Sequence, residues 1–465
     1  MKSFLPYRPI RGLAALLAAV TSARAADPAP REIPVPPIAT PMGRLPGVAE
    51  LPGRPALPDV LERNDGTRVT TAAQWPARRA EILRTLEYYA VGQAPPAPGN
   101  VRGRELESQL LADGQFRYRL VHLTFGPEQK LSLNIGIFTP AGKGPFPAVI
   151  SPSGTPPGAA ALPRLPNGPT QGRGVNVLLV VGGGADPAQG SAGAGGRGGG
   201  PPDPERIAAR QAALARGYAY VIFNHNDCGE DTTLRNPDGS WAFRNTRFFP
   251  AYPGYDWGLL RNWAWGVSRI VDYLATDPAI DRTKLIVTGA SRTGKSAMVA
   301  AAFDERLAMG APVVTGGGGI GAYRLAGPRR SETLDLMVTK YPNWFSPHLH
   351  SFRGHREKLP FDQHWFLAAC APRAFLALEG EADTISLPEA VKQSVDGAMP
   401  AYALFGAESR LGVNYAPHGH TFNADDWDAL LDFADQHLVG KKSDRTFDRF
   451  PTEAELDAAL ARVNP

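Results

Sequence analysis

The chain has 465 residues, 43% of them hydrophobic and 20% charged, with 50 Gly and 45 Pro. That apolar fraction excludes wholesale disorder and a fibrous repeat, and the length suits one large catalytic domain or two to three smaller ones. The formal net charge is +4, but Lys2, Arg8, Arg11 and Arg24 account for all of it, so residues 26–465 are balanced and a nucleic-acid partner is a poor fit.

The N-terminus reads as an export signal. Lys2, Arg8 and Arg11 form a basic start, Gly12 to Val20 (GLAALLAAV) is a short apolar run, and Ala23-Arg24-Ala25 supplies the small-x-small cleavage pattern. The run is too short to span a bilayer, which takes roughly 20 apolar residues. Residues 1–25 are therefore expected to be removed, leaving a secreted or periplasmic protein with no membrane partner. Cys228 and Cys370 are too few for a disulfide scaffold and are read as two separate buried thiols.

Residues 26–60 are Pro-rich and lack periodicity, as in a tether or an extended arm wrapping the domain. A helical pattern follows over 71–90, with Thr71 as a possible cap. FRYRLVHLTF at 116–125 and LSLNIGIFTP at 131–140 alternate as an antiparallel pair. Later apolar segments read as strands: 147–151, 175–181, 218–223, 284–289, 311–314, 373–378 and 401–405. Helical patterns intervene at 204–216, 257–276, 294–303 and 425–438. Apolar strands alternating with helices predict a mainly parallel sheet covered on both faces. The stretch 182–202 is low in complexity and reads as a loop. The expected organisation is a signal at 1–25, an arm at 26–60, one catalytic domain at 61–442 and a tail at 443–465.

The segment KLIVTGASRTGKSAMVAAAF runs from a strand through a Gly-flanked Ser291 into an Ala-rich helix. In one reading Ser291 is a nucleophile on a sharp strand-to-helix turn, with Gly289 and Gly294 giving the backbone room. In the other, Gly289, Gly294, Lys295 and Ser296 spell a phosphate-cradling P-loop. The P-loop needs a nucleotide, a Mg²⁺ and an acid closing a second strand; the nearest acid, Asp227, comes late in its segment, and an exported protein meets almost no ATP.

A nucleophilic serine needs an acid and a histidine, in that order, further along the chain. Glu381 and Asp383 follow the strand at 373–378, and His418 and His420 precede the helix near Asp425. Of the other histidines, His122 falls in a strand pattern and His437 in a helix, and both read as structural. His348 and His350 form an H-x-H, but lack carboxylate or Cys ligands at recognisable metal-site spacing.

The blocks GASRTGK, KYPNWFSPHLHSFRGHREKLPFDQHWFLAACAPRAFLAL and HGHTFNADDW resemble the glucuronoyl esterases of carbohydrate esterase family 15, over about residues 65 to 427. The resemblance implies an α/β-hydrolase: a three-layer sandwich, its central sheet mostly parallel with antiparallel N-terminal strands, and helices on both faces. It implies Ser291 as nucleophile, Arg292 at the oxyanion, and Lys295 and Glu332 on the uronate sugar. The family's histidine stands seven residues before a Trp, which selects His420 over His418. An acid that many members carry is replaced here by Val314. Others place an Asp ahead of D-x-x-x-x-P, which Asp383 and Pro388 reproduce, so Asp383 is preferred over Glu381. A sugar-stacking Trp of that loop is replaced by Ile385, which alters the sugar contact.

The expected activity is hydrolysis of (4-O-methyl-)glucuronic acid esters in glucuronoxylan by a Ser-His-Asp acyl-enzyme mechanism, by a monomer needing no metal or organic cofactor. The alternatives are an acetyl or other acyl esterase on plant polysaccharide, a noncatalytic carbohydrate-binding homologue, and a P-loop nucleotide hydrolase.

Overall fold

The computed structural model describes residues 40–112, 114–165, 204–325 and 332–463. The expected signal segment, the first part of the arm, the strand at 175–181 and the loop at 182–202 lie outside them. All the described residues belong to one unit, Val35–Pro465.

In chain order the elements are α1 (Trp75–Thr85), β1 (Arg102–Leu111), β2 (Phe116–Phe125), β3 (Leu131–Pro140), β4 (Phe146–Ser151), α2 (Pro204–Ala215), β5 (Ala219–Phe223), α3 (Leu259–Leu274), β6 (Ile280–Ala290), α4 (Arg292–Phe303), β7 (Leu307–Val313), α5 (Leu334–Lys340), α6 (His364–Ala368), β8 (Ala374–Gly380), α7 (Pro388–Ala403), β9 (Leu411–Ala416), α8 (Ala424–Ala434) and α9 (Glu453–Val463). The described strands form one sheet in the order β1-β2-β3-β5-β4-β6-β7-β8-β9. β1, β2 and β3 run antiparallel to their neighbours, and from β5 through β9 every pairing is parallel. His122 and Asn134 face each other across β2 and β3 and are bonded at 2.8 Å, so His122 is structural as expected.

The parallel strands are apolar on both faces because helices cover both. Ala148, Ile150, Leu285, Val287, Phe375 and Ala377 join one core with α3 and α4. Val149, Ile286, Leu376 and Leu378, one residue out of phase, join a second core with α2 and α8. Successive side chains along a strand point to opposite faces, which produces this division. In α4 the alanines let the helix sit close: a Cβ on Gly310 of β7 would lie 2.7 Å from that of Ala301. Edge strand β1 is almost wholly exposed and carries Arg102, Arg104, Glu105 and Glu107.

One expectation fails. Residues 401–405, read as a strand, end α7 and the turn after it, and the last strand is β9, LGVNYA. The run AYALF is bounded like a strand, but Ala398, Ala401 and Tyr402 are buried at helical spacing, and tertiary packing decides between the two periods. Cys228 and Cys370 are free buried thiols, as read.

The described part of the arm lies along the domain. Met42, Leu45, Val48 and Leu51 pack against the core, Tyr89 donates to the Pro46 carbonyl at 2.7 Å, and His364 Nε2 meets the Pro58 carbonyl at 2.7 Å. The C-terminal residues also return: the Val413 amide of β9 donates to the Phe447 carbonyl at 2.7 Å, and Leu456 and Ala459 bury one side of α9. A buried pair locks the segment after β7. Asp362 accepts the amides of Tyr323, Arg324 and Gln363, and the Arg324 guanidinium at 3.1 Å. Arg324 also reaches the Phe361 and Arg54 carbonyls. Asp362→Ala strands a buried guanidinium, so we expect a loss of about 3–5 kcal/mol in urea unfolding.

Candidate active site

Ser291 occupies the turn between β6 and α4. Its φ of +56° and ψ of −123° lie where non-glycine residues seldom go. Holding it there costs on the order of 1–3 kcal/mol, which neighbouring contacts must offset. The Ser291 amide donates to Val313 O at 2.9 Å and its carbonyl accepts from Lys295 N at 2.9 Å. Thr293 Oγ1 closes the turn on the Ala290 carbonyl and amide. A Cβ on Gly294 would come within 2.6 Å of Gly289 O and 2.9 Å of Val313 O. The two glycines therefore supply the space the sequence pattern assigns to them.

Asp383 and His420 stand beyond the carboxyl ends of β8 and β9. His420 Nδ1 and Asp383 Oδ2 are 3.0 Å apart, with the carboxylate fully buried and the ring 39% exposed. Asp383 is held by the Ile385 amide on Oδ1 and by its own amide on Gly380 O. His418 belongs to another bond set: its Nε2 meets Asp426 at 3.2 Å and its Nδ1 the Gly419 carbonyl. Burial works against the charged ring of His418, yet the Asp426 hydrogen bond and charge hold its pKa above the usual histidine value. Glu381 makes its recorded contact through the backbone, to Ala416 O. The structure thus joins Asp383 to His420 and leaves Glu381 and His418 out of that pair. The Ser291 hydroxyl makes no hydrogen bond to the His420 ring, whose bond is the one to Asp383.

Two cation–carboxylate pairs flank the serine. Arg292 Nη1 binds Asp231 Oδ2 at 2.5 Å and the guanidinium lies 5.2 Å from the centre of the Trp344 ring. Asp231 also accepts Trp344 Nε1 at 2.8 Å and Asn343 Nδ2 at 3.3 Å. Trp344 is itself stacked on Tyr341, with centroids 3.9 Å apart. Lys295 is 1% exposed, and its ammonium binds Glu332 Oε2 at 3.1 Å. Burial pushes the Lys295 pKa down and Glu332 opposes that shift. Glu332 precedes the cap Thr333 of α5 and points at Lys295. Ser331, its sequence neighbour, lies outside the described residues. The lysine ammonium is thus committed to a carboxylate, unlike one that cradles phosphate.

Val314, where the resemblance would place an acid, directly follows β7 at φ +41° and is buried. His348 stacks on Tyr88, while His350 Nε2 meets the Pro342 carbonyl, so the H-x-H rings serve packing. Asp231 and Trp344 went unassigned from sequence. The available signal was the acid-rich DCGED after β5, whose other acids, Asp227 and Glu230, are buried against Arg164 and Arg247.

A family model described as glucuronyl esterase of fungi matches residues 201–406. Carbohydrate esterase MZ0003, from an unknown prokaryotic organism, is 26% identical over 417 residues, covering 83% of this chain and 90% of that protein. A 4-O-methyl-glucuronoyl methylesterase of Neurospora crassa is 28% identical over 377 residues, covering 78% and 77%. Among solved structures, a promiscuous esterase of carbohydrate esterase family 15 from a marine bacterial metagenome superposes with a TM-score of 0.67 at 26% identity, covering 85% of this chain and all of that one. A glucuronoyl esterase of the same family from Caldicellulosiruptor kristjansonii gives a TM-score of 0.62 at 27% identity, covering 86% and 96%. Sheet order, the strained serine turn and these likenesses agree: the chain is a carboxylic ester hydrolase of α/β-hydrolase fold, similar to the glucuronoyl esterases of carbohydrate esterase family 15.

Proposed function

We propose that the chain hydrolyses esters of 4-O-methyl-glucuronic acid, such as those joining glucuronoxylan to lignin alcohols, with Ser291 as nucleophile, His420 as base and Asp383 as its orienter. The observation that carries this reading is the 3.0 Å bond from His420 to the buried Asp383, set two strands from a serine held at φ +56°. The His420 ring takes the Ser291 proton as Oγ attacks the ester carbon, and Asp383 stabilises the imidazolium. Arg292 and amides at the start of α4 receive the charge that develops on the carbonyl oxygen. The alcohol leaves with the proton from His420; water then attacks the acyl-enzyme by the same route and frees the uronic acid. Lys295 and Glu332 hold the sugar. The export signal expected at residues 1–25 would suit a polymeric substrate found outside the cell.

Wild-type protein should cleave benzyl glucuronate, and Ser291→Ala should lose essentially all turnover; wild-type rates in that variant would overturn the nucleophile assignment. Asp383→Asn should lower kcat by about 10²- to 10⁴-fold, because the ring loses its correct tautomer and the stabilisation of its cation. Releasing Arg292 by Asp231→Ala should reduce kcat/KM roughly 10- to 100-fold through misplacement of the guanidinium. A second reading, removal of acetyl groups from plant polysaccharide, is favoured by Ile385, whose aliphatic side chain offers no aromatic face to a sugar. Release of acetate from acetyl-xylan without any uronate turnover would establish it in place of the first.

A further inference from the structure

Glu379 is the penultimate residue of β8, four positions before Asp383, and is completely buried. Its Oε2 accepts the Ser386 hydroxyl at 2.5 Å, while Oε1 has no partner. The bond crosses the loop that carries Asp383 and Ile385: Glu379 stands at its start and Ser386 at its end. Backbone bonds from Glu381 to Ala416 and from Ala382 to His418 stitch only the first half of that loop. The second half is held by the Ile385 amide on Asp383 and by Ser386 on Glu379.

Among the described residues no cation is bonded to Glu379. The charged and titratable groups around it are Asp383 in its own loop, Asp426 of α8, and Lys295 of α4, which is already bound to Glu332. Tyr415 of β9 stands opposite Glu379 in the strand register, and its buried hydroxyl is unpaired. Glu389 of α7 contributes a further unpaired buried oxygen, and its charge also bears on Tyr415. An ionised carboxylate without a counter-charge is very costly in such surroundings, whereas a protonated carboxyl is tolerated.

We infer that Glu379 is a positioning residue for the acid of the triad and works as a neutral carboxyl: it ties Ser386 to the end of β8, fixes the Asp383 loop, and leaves the negative charge to Asp383. The inference rests on the triad proposed above. Burial is the main cause that pushes the Glu379 pKa up to about 8; Asp383 and Asp426 add to the shift, and Ser386 and Lys295 oppose it. A folded-state value above the ordinary one means that the native protein keeps a proton the unfolded chain releases. Stability should therefore fall as the pH rises from the usual carboxylate range to about 8.

The test follows the rate of Ser291 labelling by a fluorophosphonate from pH 5 to 10, with melting temperature over the same range, in wild type, Glu379→Gln, Glu379→Leu and Ser386→Ala. We expect wild-type stability to fall as the pH rises to about 8 and to level off above it, and wild-type labelling to decline as the pH passes about 8. Glu379→Gln, which keeps the shape and the acceptor but cannot ionise, should label within about threefold of wild type at pH 7 and lose that alkaline step. Glu379→Leu and Ser386→Ala should label about tenfold or more slowly at pH 7, with kcat on benzyl glucuronate falling in parallel and KM nearly unchanged. An unaltered alkaline step in Glu379→Gln, or wild-type labelling in Ser386→Ala, overturns the inference even if Glu379→Leu fails to fold. Labelling of Ser291 without turnover of any glucuronate ester refutes the substrate assignment alone, and the labelling rates still decide the role of Glu379. Absence of labelling at every pH overturns the triad and the inference together.

Discussion

The close approach of β6, α4 and β7 around Ser291 is the constraint on which the site depends. A serine at φ +56° is stable only if the backbone before and after it is clamped, and the clamps are the amide bond to Val313 and the helical bond from Lys295. Those bonds require that nothing stand between Gly289, Gly294 and Val313, where a single added methyl group would collide with carbonyl oxygens. The same clamp sets the direction of α4 and so the places of Arg292 and Lys295. Geometry at one residue thereby fixes the serine and both nearby cations.

Electrostatics then divides those cations. Arg292 remains partly exposed at the mouth, held by Asp231 and flanked by Trp344. Lys295 is sealed inside, and Glu332 compensates it. Each cation has one carboxylate partner from a distant segment, so the loop after β5 and the segment before α5 are drawn toward the start of α4. Asp383 is arranged differently: a buried carboxylate facing a ring with one side open to solvent, an arrangement that fits the role proposed for it.

Much of this was legible in the chain itself. The alternation in 116–125 and 131–140 matches the two antiparallel strands residue for residue, because each buries one face more than the other and the period is unambiguous. The Gly-flanked serine, and the order of serine, acid and histidine, followed from local pattern. The choice of Asp383 and His420 over Glu381 and His418 needed the resemblance, since neighbours two residues apart carry the same chemistry and differ only in which way a loop turns them. The misread segment at 401–405 shows the other difficulty: a short apolar run has no period of its own. Asp231 and Glu379 were hidden for a related reason. One gains its meaning from donors more than 50 residues away, and the other from being fully enclosed, a property no local window reveals.

The two rims of the sheet, nine-stranded among the described residues, show how the assembly stays to itself. At one rim β1 carries Arg102, Arg104, Glu105 and Glu107, charges that a neighbouring strand would have to desolvate. At the other, the segment around Phe447 lies along β9 and takes up its Val413 amide. Growth by strand addition is disfavoured at one end and sterically occupied at the other. The returning C-terminal segment therefore serves colloidal stability as well as folding, and its removal would uncover a hydrophobic strand edge suited to aggregation.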